Sequence, residues 1–450
     1  MKFELSKEFL DQLVLDIART NNTEITSQIS QLHPADIADV MGNLSIDNAK
    51  YIYELLDEEL AAESLMELED EFRENLLKLF SPQEIAEQAD NLDTDDAADL
   101  LGELSEDKID EVIAQMEDRE HASDITELLN YDEDSAGGLM QSEFMCANWN
   151  WPVDKAIFEL RKQTAEVEKV YSIYVVDDDQ QLKGILSLKS LLFASPKTPI
   201  KEIYKDKDLQ YAKTHDSSED VVMMMEKYDL VSIPVIDRQN KLVGRITIDD
   251  VVDVIREEAE KDFQMASGIS ENVESSSSVF RHTRSRLPWI LVGLVGGVAS
   301  SQIIKGYGGQ IEINPSLAFF IPLIVATAGN VGVQSSAIIV QGLAREDFQV
   351  TGILKQVGKE SLIGLLVGFI CSAIIFGVSY FIDGDMNLGM TIGITLFLVV
   401  IIAAMLGAFI PLVLDRIKID PALATGPFIT TANDMIGLTI YFIVAFFVYS

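Results

Sequence analysis

The sequence predicts a multidomain fold: an α-helical superhelical N-domain, a tandem pair of α+β units, a connecting helix and a five-helix α transmembrane domain. Three observations carry this expectation: a short helical repeat in an acidic front section, a strand–turn–strand pattern that occurs twice mid-chain, and five long apolar runs at the back. The expected boundaries are 1–138 for the N-domain, 139–203 and 204–256 for the pair, 257–286 for the connector and 287–450 for the membrane part. Charge divides the chain in the same way. Residues 1–140 carry 8 Lys/Arg against 38 Asp/Glu, whereas residues 287–450 carry 6 against 9, within a net charge of −39. Phosphate binding requires a concentrated basic face, so nucleic acid is excluded as a partner. Cations are the natural partners of so acidic a surface.

Residues 24–135 read as short helices with a recurring pattern. HPADIADVMGNL (33–44) aligns with TDDAADLLGEL (94–104), and SPQEIAEQADNL (81–92) and SEDKIDEVIAQM (105–116) are weaker echoes. Each opens on Ser, Thr or Pro and then places apolar residues at helical spacing, as helix N-termini do. Units that cannot bury their apolar faces alone stack into a superhelix. The acid run Asp93, Asp95, Asp96 and Asp99 reads by itself as a solvated face. Cys146 and Cys371 are the only cysteines and lie far apart, which rules out a disulfide framework and fits a reducing compartment for the front half. The start, MKFELSKEFLDQLVLD, is an amphipathic acidic helix without an apolar core, so no secretory signal is expected.

From about 141 to 262 the pattern changes. YSIYVVDDDQQLKGILSLKSLL (171–192) and VSIPVIDRQNKLVGRITIDDVVDVI (231–255) each give an apolar strand, a polar turn, a Leu-x-Gly step into a second strand, and a helix. These units resemble a tandem pair of CBS domains, which form one intramolecular module and often bind adenosine nucleotides. The Gly-x-x-Thr-x-x-Asp pattern that holds a ribose in many CBS domains is matched by Gly244, Thr247 and Asp250, whereas the first unit has Gly184, Ser187 and Ser190 and lacks the acid. The resemblance therefore implies ATP at the second half-site, and a purely structural module is the equal alternative.

The connector is helical at REEAEKDFQMASG, then Ser-rich, then basic at Arg281, Arg284 and Arg286. Five apolar segments follow, at about 287–304, 315–341, 353–381, 389–414 and 422–449; each approaches or exceeds the roughly 20 residues a span requires. Those arginines precede the first segment. Arg345, Lys355 and Lys359 lie between the second and third, and Arg416 and Lys418 between the fourth and fifth. The positive-inside rule then puts the N-terminal domains in the cytoplasm and the C-terminus outside a plasma (inner) membrane, among its lipids.

Asp434 stands inside the last segment and is the only charged residue from Pro421 to Ser450. A carboxylate at membrane depth costs about 2.5–3.5 kcal/mol on insertion scales, and its short stem cannot reach the headgroups. It is expected to face a pore, a partner or an ion. Thr430 lies one turn earlier on the same face, and the Gly426–Pro427 step starts or kinks the helix. Asn433, the neighbour of Asp434, is expected to point elsewhere. In the second segment, Asn330 and Gln334 share one face between Gly329 and Gly332, either as helix-packing polar contacts or as pore lining. Oxygen ligands with no nearby His or Cys favour a hard cation, and hydrated Mg²⁺ is typically held through one or two carboxylates. Asp434 alone suits a proton relay equally well.

The order of parts, with Gly329-Asn330-x-Gly332-x-Gln334 and Pro427-x-x-Thr430-x-x-x-Asp434-x-x-x-Gly437, closely resembles the MgtE family of magnesium channels and transporters across essentially the full chain. The resemblance implies a homodimer with its pore on the dimer axis and Asp434 coordinating hydrated Mg²⁺. Some members have Asn where this chain has Gly426, so no side-chain ligand is expected there. It further implies Mg²⁺ bridging acidic residues of the N-domain, CBS pair and connecting helix, which locks the channel closed when internal Mg²⁺ is high. The matching candidates are Asp95 and Asp99, then Asp249, Asp250 and Asp253, then Glu257, Glu258 and Asp262. The rival readings are a proton-coupled divalent-cation carrier and a membrane-anchored Mg²⁺ sensor. An enzyme fits worst, because the four histidines are scattered, neither cysteine has a partner and no phosphate-binding loop is present.

Overall fold

The structure, a computed structural model, describes residues 3–163, 170–207, 209–270, 273, 277–344, 352–424 and 426–449. Arg345 and most of the Ser-rich stretch fall outside the described residues. The chain divides into two compact units, Met1–Arg256 and Glu257–Ser450.

The first unit opens with ten short helices: α1 (Lys7–Ala18), α2 (Asn22–Ile29), α3 (Pro34–Gly42), α4 (Ile46–Tyr53), α5 (Glu58–Met66), α6 (Asp70–Leu77), α7 (Pro82–Ala89), α8 (Thr94–Gly102), α9 (Glu106–Ile113) and α10 (Arg119–Leu128). Their starts are fixed locally. Ser6, Ser45, Asp57 and Asp118 cap backbone N–H groups, and Ser81 and Glu84 form a reciprocal capping box before Pro82. Alternate helices stack, α3 on α5, α5 on α7 and α7 on α9, as a superhelix requires. Each contributes an apolar stripe to one core that includes Ile37, Leu65, Ile85 and Leu101.

Two small sheets of identical topology follow. In the first, β1 (Met145–Asn148) runs parallel to β2 (Ile173–Val176), which pairs antiparallel with β3 (Leu182–Leu186). Around it lie α11 (Val153–Gln163) and α12 (Leu188–Phe193). In the second, β4 (Ala212–Lys213) is parallel to β5 (Ser232–Ile236), and β5 is antiparallel to β6 (Leu242–Thr247), flanked by α13 (Ser218–Tyr228) and α14 (Ile248–Ala266). The two hairpin turns are built alike. Asp177 and Asp237 each accept backbone hydrogen bonds from the residues two and four positions on, and Gln180 and Asn240 both take φ of 62°. The turns also dock on each other: the Leu182 and Leu242 N–H groups donate to the carbonyls of Asn240 and Gln180. The short parallel strands β1 and β4 had no counterpart in the sequence-based expectation. The second sheet shares its core with the helical superhelix, through Val221, Ile233, Ile246 and Val251.

The second unit holds α15 (Val279–Gly306), α16 (Gly308–Ile313), α17 (Ser316–Ala344), α18 (Ile353–Asp383), α19 (Met386–Arg416) and α20 (Pro427–Tyr449). All but α16 are long and apolar enough to cross a membrane, which makes this a multi-pass chain. Helix α19 is the hub: it packs on α17, α18 and α20 and has the most buried candidate span. Gly384, at φ 66°, turns the chain between α18 and α19, and Asp385 caps the latter. Two expected boundaries move. The first span begins upstream, so Arg281, Arg284 and Arg286 lie on α15 itself, and Lys355 and Lys359 lie on the first turns of α18. The last span starts at Pro427 rather than 422, because Pro421–Ala424 forms a separate 3₁₀ turn and Gly426 takes φ 51°.

Candidate functional site

Two of the motifs interlock within the membrane bundle. Helix α17 presents two glycines one turn apart, and α20 fills both notches. A Cβ on Gly329 would meet the Thr430 methyl at 3.0 Å, and one on Gly332 would collide with the Asn433 amide. From the other side, Gly407 of α19 presses on the Gly332 carbonyl, with no room for a Cβ. Gly296 of α15 likewise makes space for Thr431. Small residues thus let four helices converge on the turn that carries Asp434.

Asp434 is half-buried, and its Oδ1 is enclosed without a hydrogen-bond partner. Thr430 donates its hydroxyl to the Gly426 carbonyl at 3.0 Å, which leaves its oxygen lone pairs as acceptors. Asn330 and Gln334 are both exposed, on one face of α17, while Gly329 and Gly332 are buried on another. Asn433 is 2% exposed, and neither polar atom of its amide has a partner. Sequence reasoning turned Asn433 away from Asp434. The structure adds that it wedges into α17 at Gly332.

The start of α20 is also held from outside the bundle core. A Cβ on Gly426 would meet the Ala266 carbonyl at 2.8 Å, and one on Gly268 (φ 80°) would meet Pro427 at 2.8 Å. The end of α14 therefore rests directly on the Gly426–Pro427 break. Alongside, burial raises the pKa of Asp262, with Asp420 and then Glu258 adding to the shift. Asp420, just before Pro421, was not among the sequence candidates.

In the first unit the acids of α8 meet those at the start of α14. Asp95 is 8% exposed; its Oδ2 accepts from Gln141 Nε2 at 3.0 Å, while its Oδ1 is buried without a partner. Gln141 in turn accepts from Arg245 Nε at 2.8 Å. Burial, then the charges of Asp250 and Asp96, push the Asp95 carboxyl far above the usual carboxylate range. Asp250 is pushed up to about 6, first by burial and then by Asp249 and Asp253, against hydrogen bonds from Thr247 that lower it. Asp253 is raised too, by burial and Asp249, with Arg256 opposing. Asp99 lies within electrostatic reach of Asp96 and Arg73. Glu257 and Glu258 lie further along α14, in the second unit. Among the described residues no three His, Cys, Asp or Glu side chains converge as a ready-made metal cage. A contact of α8 and α10 with the segment before β1 went unseen in the sequence: Thr94 donates its hydroxyl to Glu143 at 2.8 Å, and His121 Nδ1 lies 3.8 Å from the same carboxylate.

The ribose-type pattern is partly accounted for by packing. Gly244 is required because Met140 and Gln141 cross over it, with a Cβ meeting the sulfur at 2.8 Å. The Thr247 hydroxyl reaches both Asp249 and Asp250, and Asp250 also accepts the Thr247 N–H at 2.9 Å. Asp250 thus belongs to both candidate sets at once.

A helical superhelix and a sheet pair with clustered acids, on a chain with five candidate spans and a carboxylate in the last of them, define a multi-pass membrane protein. Comparison with known proteins agrees with that class. The MgtE model, described as a divalent cation transporter, matches residues 321–444; the MgtE intracellular N domain matches 32–134, and the CBS domain matches 136–197 and 200–257. The chain is 30% identical to the magnesium transporter MgtE of Bacillus subtilis over 94% of its length and 93% of that protein's. It is 32% identical to the magnesium transporter MgtE of Thermus thermophilus, covering 93% of each. The crystal structure of the cytosolic domain of the Mg²⁺ channel MgtE in complex with ATP matches 54% of this chain and 98% of that one, at 31% identity and a TM-score of 0.50. The chain belongs to the MgtE family.

Proposed function

We propose that the protein is a homodimeric Mg²⁺ channel or transporter that imports Mg²⁺ through a pore on the dimer axis. Asp434, Thr430 and Asn330 line the path, and the N-terminal domains are cytoplasmic with the C-terminus outside. The observation that carries this reading is the unpartnered Oδ1 of Asp434 at the point where α15, α17, α19 and α20 converge. A buried carboxylate left without a donor is costly unless an ion or water meets it. One Asp from each of two protomers suits a cation held mostly through its water shell. The names of the matched relatives support Mg²⁺ as the ion.

Regulation rests on the acids outside the membrane. The donor set fits a hard cation: all are oxygen ligands, and Asp95 keeps a buried oxygen without a partner. Asp95, Asp249, Asp250 and Asp253 would hold Mg²⁺ in the first unit, with Asp99 beside them. Glu257, Glu258 and Asp262 would do so in the second, joined by Asp420. Bound Mg²⁺ supplies neutralisation of apposed carboxylates. Without it these groups repel, and the packed arrangement loses its advantage. The close seat of Gly268 on Pro427 gives that arrangement a direct hold on the start of α20. The ATP complex of a relative's cytosolic domain supports the same ligand at the second CBS unit, through Gly244, Thr247 and Asp250.

The test is Mg²⁺ flux into liposomes holding the full-length protein, with and without a proton gradient. The proposal expects flux that follows the Mg²⁺ gradient, ignores collapse of the proton gradient and disappears in Asp434→Ala. Flux that vanishes with the proton gradient makes the protein a proton-coupled carrier. An absence of flux in the wild type makes the spans a scaffold for a sensor.

A further inference from the structure

Helix α18 carries a second buried carboxylate within a candidate span. Glu360 lies two turns into that span, about 10 Å along its axis from Ile353, and no charged residue follows until Asp383. It is 4% exposed, and the Ser335 hydroxyl, itself on a residue 5% exposed, donates to its Oε2 at 2.8 Å. The surroundings explain how this hydrogen bond forms. Glu360, Gly364 and Gly368 stand at four-residue intervals on one face of α18, and both glycines press against α19. A Cβ on Gly364 would lie 2.9 Å from the Ala404 methyl, and one on Gly368 3.1 Å from the Phe397 carbonyl. On α19, Gly407 lets α17 approach, with a Cβ there meeting Ser335 Cβ at 3.0 Å. Three helices thus close around one hydrogen bond.

Ser335 directly follows Gln334 and lies three residues after Gly332, in the stretch whose exposed face carries Asn330. Fixing Ser335 therefore fixes the rotation and height of that stretch of α17. We propose that Glu360 is a positioning residue for ion passage: through Ser335 it sets where Asn330 and Gln334 stand, without itself touching the ion. This rests on the reading of Asn330 and Asp434 as the ion path. A functional group is held in place by such supporting hydrogen bonds as much as by its own rotamer.

The experiment is Mg²⁺ uptake against Mg²⁺ concentration in liposomes, for the full-length wild type, Glu360→Ala, Glu360→Gln, Ser335→Ala and the Glu360→Ala/Ser335→Ala double variant. Asp434→Asn serves as the control for the path itself. Glu360→Ala and Ser335→Ala are each expected to raise half-saturation about fivefold or more, with a smaller change in maximal rate. The double variant should be no worse than the poorer single one. Glu360→Gln keeps an acceptor for Ser335 and should stay within about twofold of wild type. Additive losses overturn the proposal, as does a wild-type saturation curve in Ser335→Ala, the smallest perturbation of the set. A Glu360→Gln variant as impaired as Glu360→Ala overturns it too, since the charge itself would then be needed. Normal flux in Asp434→Asn is a separate failure, of the ion path rather than of the Glu360–Ser335 coupling.

Discussion

Asp95 of α8 and Asp250 of α14 face each other across the joint between the helical superhelix and the second CBS unit, and the charge of Asp250 raises the pKa of Asp95 beyond what burial alone does. Two acids in that relation favour the packed joint only while a proton or a cation offsets them.

The pH dependence follows with a definite sign. Asp250 rises from 3.8 to about 6 on folding, and Asp95 is raised in the same direction. A raised acid favours the packed state fully below its unfolded pKa and loses that contribution as pH climbs through the folded value. In Mg²⁺-free protein, hydrogen exchange of α8, corrected for its intrinsic pH dependence, should therefore quicken as pH rises from about 4 through 6 and beyond. Added Mg²⁺ should restore protection more at the upper end. Asp95→Asn should flatten both responses.

Asp420 makes a parallel prediction in the membrane unit. Its charge raises the pKa of Asp262, so the two carboxylates lie within electrostatic reach of each other. Asp420→Asn removes one side of the pair. It should raise the internal Mg²⁺ that halves flux by several-fold while leaving uptake at low internal Mg²⁺ unchanged.

Gly332→Ala tests the interlock of α17 with α20. The added methyl would strike the Asn433 amide and lie 2.8 Å from Ile429 Cγ2. Overpacking of this kind costs about 1–3 kcal/mol. Flux should fall about tenfold, and Gly332→Ala/Asn433→Ala should recover part of it, because the second change vacates the space the first one fills.

Ser81→Ala probes the superhelix. It deletes the Ser81 hydroxyl that receives the Glu84 N–H and pairs with the Glu84 carboxylate. The expected loss is about 1 kcal/mol, read as a lower thermal midpoint with no change in Mg²⁺ uptake at low internal Mg²⁺.

Much of this architecture is legible in the sequence because it is local. Capping residues such as Ser81 mark helix starts, the paired turns at Asp177 and Asp237 mark the hairpins, and the apolar runs mark the spans. What stayed hidden depends on partners remote in sequence. Strand β4 has two residues and exists only because β5 pairs with it. Asn433 looked like an idle neighbour of Asp434, since nothing adjacent to it reveals the notch at Gly332. Glu360 was overlooked beside Lys355 and Lys359, whose charges were counted with the preceding loop although α18 begins at Ile353 as expected. Of the acids, the sequence pointed to Asp95 and Asp250 but not to Gln141 and Arg245, whose hydrogen bonds tie Asp95 to β6.

The central claim is that Asp434 serves an ion path governed by the acids outside it. Mg²⁺ uptake into proteoliposomes, for wild type and Asp434→Asn across a range of internal Mg²⁺, tests it most directly. The account predicts wild-type uptake that falls as internal Mg²⁺ rises, and no uptake by Asp434→Asn at any internal concentration. Uptake that is indifferent both to internal Mg²⁺ and to the loss of the Asp434 carboxylate would contradict it.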